Sequence, residues 1–131
     1  MLSIDELDKL QKTRIDDAEA LLEAGRFDGA IYLSGYAIEI ALKARICKTL
    51  RWSAFPETNK EFEGLISFKT HDFNLLLRLS GVEALIKSSH WDEWSIVLKW
   101  KPELRYSQVG TVSFTQANDF VDAVKTLLQS L

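Results

Sequence analysis

The chain has 131 residues, 47% of them hydrophobic, with 16 basic and 19 acidic side chains and a net charge of −3. That length suits one domain, able to bury about two thirds of its unfolded surface without a metal or disulfide staple. The charge balance excludes a global basic surface for long nucleic acids, and the sequence has neither a basic-then-apolar secretion signal nor an apolar run near the roughly 18 residues of a membrane span.

A soluble cytoplasmic protein with one domain over residues 1–131 is therefore expected. In chain order, Ser3 and Glu6 have the spacing of a capping box, after which Leu7, Leu10, Ala18 and Leu21 recur on one face. The first helix is predicted over residues 4–24. Arg14 projects from the middle of that face, where a guanidinium needs an acceptor, and Glu39 is the partner expected. Gly25 supplies the left-handed residue that follows many helix ends, and Asp28 can cap the next N-terminus, so two helices meet at a tight corner.

The second helix, from Asp28 to about Leu50, is apolar around most of its circumference when plotted at about 100° per residue. Ala30, Ser34, Ala37, Ala41 and Ala44 form a row of small residues that allows another helix to approach closely. Ile31, Ile38 and Leu42 form a second row, and Leu33, Ile40 and Cys47 a third. This helix is expected at the centre of the fold, with the lone Cys47 in a packing role. The remaining strip carries Tyr32, Tyr36, Glu39 and Lys43, and polar groups on a central helix must reach solvent or find partners. The plain reading is an i,i+4 Glu39–Lys43 pair with both tyrosines packing sideways.

After Leu50 the periodicity breaks across RWSAFPETNKEFEGLISFKT, a long connection with a possible helical turn near residues 57–63. Thr70 or His71 is placed to cap a short helix over Asp72 to Leu79, stopped by Gly81, and another follows through Val82, Leu85 and Ile86. Ser89 with Asp92 suggests one more start, leading into Trp91, Trp94, Val97, Leu98 and Trp100 as core or dimer contacts. Ser113 with Gln116 forms a second capping box ahead of Ala117, Phe120, Val121, Val124, Leu127 and Leu128. No segment alternates long enough to demand a sheet, so the expected class is all-α.

Three segments together, GRFDGAIYLSGYAIEIALKARI, THDFNLLLRLSG and W-x8-W-x4-RY, followed by an amphipathic C-terminal helix, resemble the small bacterial members of the HEPN (higher eukaryotes and prokaryotes nucleotide-binding) family. The resemblance implies an antiparallel four- to five-helix up-and-down bundle with short extra helices, a homodimer, and a minimal nucleotidyltransferase partner in a toxin–antitoxin type pair. Catalytic members are metal-independent ribonucleases that use an arginine followed, after four to six residues, by a histidine. Neither His71 nor His90 has an arginine at those offsets, and Arg105 is followed there by Gly110, Thr111 and Val112. The catalytic role does not carry over.

What the resemblance leaves is a candidate ligand site at Tyr36, Glu39, Lys43, His71, Asp72, Arg105 and Tyr106, with no catalytic residue, metal or cofactor expected. His71 and Asp72 also have a plain reading as caps of a helix start, and Arg105 with Tyr106 as a loop pin or as a guanidinium and ring offered to a phosphate and base. Lys43, Arg45, Lys48 and Arg51 make a basic helix end, which compensates the macrodipole or, beside Lys99, Lys101 and Arg105, forms a phosphate patch. The leading expectation is a non-catalytic nucleotide- or RNA-binding module. The alternatives are a ribonuclease with a variant active site, His71 acting with Asp72 or Glu39, and a purely protein-binding dimer that uses Trp91 and Trp94.

Overall fold

The structure, a computed structural model, describes residues 1–106 and 109–131, with the side chains of Arg105 and Tyr106 outside the described set. Six α-helices are found among these residues: α1 Ile4–Glu23, α2 Phe27–Leu50, α3 Phe73–Ser80, α4 Glu83–Ser89, α5 Trp91–Val97 and α6 Phe114–Leu128. The all-α class is as expected. Three long helices frame the fold, and α3 to α5, each about two turns long, are the short helices.

Helix α1 begins at the expected capping box, with Ser3 Oγ accepting from Glu6 N–H at 3.1 Å and Glu6 Oε2 accepting from Ser3 N–H at 2.7 Å. Gly25 takes φ +76° after the helix end, as the corner requires. The following cap differs from expectation. Helix α2 starts one residue earlier, its N-cap Arg26 has no side-chain bond, and the Asp28 carboxylate instead accepts from Gly110 N–H at 2.9 Å. Asp28 therefore fastens the loop before α6 to the start of α2.

Helix α2 is the centre of the molecule. Its main packing partner is α1, and α6 and α3 cover further sides. Ala30, Ser34, Ala37, Ala41 and Ala44 are all buried, as are Ile38, Leu42, Ile46 and Cys47. Burial pushes the Cys47 thiol above its ordinary range, because the charged thiolate would have to leave water. Away from the small row, Gly35 allows a second close approach, where the indole of Trp100 occupies the space a side chain would need. Helix α6 opens on the second predicted capping box, Ser113 with Gln116, and buries Phe120, Val121, Val124 and Leu127.

Several local expectations are corrected. Arg14 does not reach Glu39; it is partly exposed and sits 3.6 Å from Asp17, one turn away on its own helix. The helical turn expected near residues 57–63 is present, with Phe62 N–H donating to the Thr58 carbonyl at 3.0 Å, and a 3₁₀ turn follows at Ile66–Phe68. Helix α5 is capped from His90, not Ser89, and carries no side-chain cap bond. A small sheet is also present: β1, Leu2–Ser3, pairs antiparallel with β2, Ala54–Phe55, in the register Leu2 to Phe55 and Ser3 to Ala54. Two residues per strand are too few for an alternating pattern to announce them.

Trp94 and Trp100 are core, as expected, whereas Trp91 stands exposed on α5 and Leu85 is exposed on α4. Among the described residues, no helix is long and apolar enough to cross a membrane.

Candidate functional site

The polar strip of α2 divides into an aromatic half and a charged half. Tyr32 and Tyr36 meet edge to face at 5.0 Å, with their hydroxyls 3.4 Å apart. Trp100 packs edge-on to Tyr36 at 4.9 Å, donates its indole N–H to the Tyr32 carbonyl at 3.2 Å, and stacks on Phe73 at 5.2 Å. Tyr36 is thus a member of an aromatic box that joins α2 to α3 and to the end of α5.

One turn further along α2, Glu39 is only 3% exposed. A carboxylate in that position needs partners in protein, and it has two. Its Oε2 receives the Lys43 ammonium at 3.2 Å, and its Oε1 lies 2.6 Å from Nδ1 of His71. Lys43 also lies over the Phe55 ring, 5.4 Å from its centroid, so its charge is compensated by a carboxylate and a π-face together. The i,i+4 pair predicted from sequence is present, and a third member has been added from 32 residues away.

His71 reaches Glu39 because of how α3 begins. Asp72 Oδ1 accepts from Leu75 N–H at 3.2 Å and caps the helix, while Thr70 Oγ1 accepts from Asp72 N–H at 3.0 Å. The cap is therefore Asp72, not Thr70 or His71. With its backbone fixed between these two bonds, His71 turns its ring inward to the carboxylate through Nδ1, while its side chain remains 57% exposed. A carboxylate can only accept, so the proton between the two groups belongs to Nδ1 and the free lone pair to Nε2.

Beside this triad is a half-open groove of about 480 Å³, walled by Lys43, Lys69, Thr70 and His71 and floored by Phe55 and Phe62. Leu2 closes one side. Lys69 is held by the side-chain oxygen of Asn59. Glu57 is the one acidic residue on the lining, and because Lys43 is already paired with Glu39, Lys69, held by a neutral Asn59, is the cation there with no carboxylate partner among the described residues. Lys69 was not singled out from sequence; nothing in a solvated connection marks the lysine that a fold will bring to a helix fifteen or more residues away in chain order.

The other expectations separate. Arg105 and Tyr106 have side chains outside the described residues, although their 3₁₀ turn, Pro102–Tyr106, packs against α2. The basic helix end does not act as one patch: Lys43 turns to Glu39, Lys48 pairs with Asp8 at 3.7 Å, and Arg51 is the left-handed C-cap residue at φ +59°. Lys99 lines a different hollow, with Asp28, Trp100, Asp119 and Phe120. His90 is occupied elsewhere, its Nε2 sharing a 2.8 Å hydrogen bond with Ser130 Oγ. Among the described residues, no three His, Cys, Asp or Glu side chains group in a way that could hold a metal.

No protein-family model matches the chain, and neither a curated protein nor a solved structure matches it significantly.

Proposed function

We propose that this chain is a small helical binding module, non-catalytic and HEPN-like, that holds a nucleotide or an RNA end by its phosphate. The observation that carries the reading is the convergence of Lys43, Lys69 and His71 on one groove of about 480 Å³. That volume lies within the range of small-molecule sites, and the cations provide point charges suited to a phosphate. The resemblance in α2 and α3 supports the same ligand class, and it also supports a homodimer and a minimal nucleotidyltransferase as the partner in a toxin–antitoxin type pair. Leu85 and Trp91, on adjacent short helices, are among the exposed apolar side chains that a second copy could cover.

The test is calorimetric titration with adenosine monophosphate and with a short 5′-phosphorylated oligoribonucleotide. Binding that weakens in Lys69→Ala and His71→Gln, with folding retained, supports the module. Unchanged affinity in both variants overturns it. Sedimentation at micromolar concentration checks the dimer, and a monomer there would remove the homodimer from the reading.

A second reading, a ribonuclease with a variant active site, is favoured by one observation: a buried carboxylate orients the His71 ring and leaves Nε2 accessible, the arrangement of an acid–base imidazole. RNA cleavage by the purified chain that is lost in His71→Gln would establish it in place of the binding module.

A further inference from the structure

The two histidines of this chain present opposite faces of the same chemistry. His90 has its Nε2 tied to Ser130 Oγ at 2.8 Å. His71 has its Nδ1 tied to Glu39 Oε1 at 2.6 Å, and 57% of its side chain is exposed. Glu39 is itself only 3% exposed and is also held by Lys43 at 3.2 Å, so it is a fixed acceptor that cannot swing away into solvent. A carboxylate hydrogen-bonded to one ring nitrogen fixes the orientation of the ring and so the direction of the other nitrogen, as in the carboxylate–histidine pairs that surround metal sites. Among the described residues, none hydrogen-bonds His71 Nε2, whereas His90 Nε2 shares its bond with Ser130.

We propose that His71 is a phosphoryl-acceptor residue, modified at Nε2 by a small phosphoryl donor that enters the groove beside it. The Nε2 lone pair forms the new N–P bond as the donor's bond from phosphorus to its leaving group breaks with its electron pair. With a phosphoramidate donor, the leaving group departs as ammonia. The imidazolium so formed keeps its Nδ1 proton on the Glu39 hydrogen bond, where the carboxylate stabilises the positive charge that develops. Lys43 and Lys69 line the same groove, and their side chains supply the positive charge available to the incoming phosphoryl oxygens. Glu39 is a positioning residue and does not touch the phosphorus. This proposal shares the groove of the binding reading but does not require nucleotide or RNA as its ligand.

The experiment is incubation of the full chain with potassium phosphoramidate at neutral pH, followed by digestion and mass spectrometry under alkaline conditions that preserve phosphohistidine. The expected result is an acid-labile phosphoryl group on His71 that appears before any on His90. It is lost in His71→Gln and kept in His90→Gln. In Glu39→Gln, which retains a hydrogen-bond acceptor but not the charge, modification of His71 is expected to be about tenfold slower. Equal rates at His71 and His90 in the unaltered chain overturn the proposal whether or not any variant folds. So does a His71 rate no faster in the native chain than in urea. A chain that binds adenosine monophosphate yet labels both histidines equally would end this proposal and leave the binding module standing. Selective labelling of His71 without nucleotide affinity would do the reverse.

Discussion

Gly35 and Trp100 share a single space: a Cβ placed on Gly35 would sit 2.0 Å from the indole nitrogen of Trp100. The ring cannot yield easily, because it is stacked on Phe73, edged by Tyr36 and hydrogen-bonded to the Tyr32 carbonyl. Gly35→Ala would normally gain helix propensity, yet here the overlap decides the sign and stability should fall by about 1–3 kcal/mol. Urea unfolding measures it. The same change in a Trp100→Phe background should cost less, since a smaller ring leaves room and the two sites are coupled.

Lys43 and Lys69 line one groove but should respond differently to removal. Lys43→Ala leaves the buried Glu39 carboxylate with His71 alone and is expected to cost about 1–3 kcal/mol of stability. Lys69 is exposed, and Lys69→Ala should change stability by less than about 0.5 kcal/mol. Chemical unfolding of both, alongside nucleotide titration, separates the cation that compensates Glu39 from the exposed one bonded to Asn59.

Asp72 is expected to report as a cap. Asp72→Ala should cost about 1 kcal/mol, and Asp72→Asn, which keeps the side-chain acceptor, only a fraction of that. The same size of loss is expected for Ser3→Ala and Ser113→Ala, whose boxes open α1 and α6. Because the three caps start different helices, the losses should add in a triple variant, and thermal unfolding of the combined variant checks this.

Stability should fall at both ends of the pH scale for separate reasons. Backbone N–H donors hold Glu6, at Ser3, and Glu61, at Glu57, below the ordinary carboxylate value of 4.5. Their folded pKa values lie below the unfolded ones, so their contribution is present above pH 4.5 and is lost as pH falls through the folded values. Cys47 is shifted the other way, above 9.0, so its contribution is intact below pH 9.0 and declines as pH rises and the unfolded chain ionises first. Urea midpoints across pH should show both declines, and Cys47→Ala should lessen only the alkaline one, to which the Met1 ammonium, raised by its hydrogen bond to Glu61, also contributes. A thiol reagent at neutral pH should modify Cys47 at a rate set by unfolding.

The helices could be read from sequence because their signals are local. Ser3 with Glu6, Gly25, Gly81 and Ser113 with Gln116 each act within one turn of chain, and all four behave as read. The all-round apolar character of α2 likewise dictates burial wherever its neighbours come from. Partner choice is a different matter. Arg14 was assigned to Glu39 by charge alone, but Asp17 was one turn away and solvent accepted the rest of the guanidinium. Asp28 looked like a cap until the chain returned Gly110 to it from 82 residues further on. The Glu39–His71 contact joins an interior helix to a connection with no periodicity of its own, so its two halves are visible in the sequence and their meeting is not.

The two-residue ladder between Leu2–Ser3 and Ala54–Phe55 gives the groove an unexpected remote control. Leu2 and Phe55 are paired in register and both line the cavity, so fraying of this ladder and loosening of the cavity wall are one event. Thermodynamic reciprocity then applies: an occupant favoured by the closed ladder slows hydrogen exchange across β1 and β2, and whatever unzips the ladder weakens that occupant by the same factor. The Leu2–Ser3 strand is in this sense coupled to a groove whose charged residues lie forty to seventy positions further along the chain.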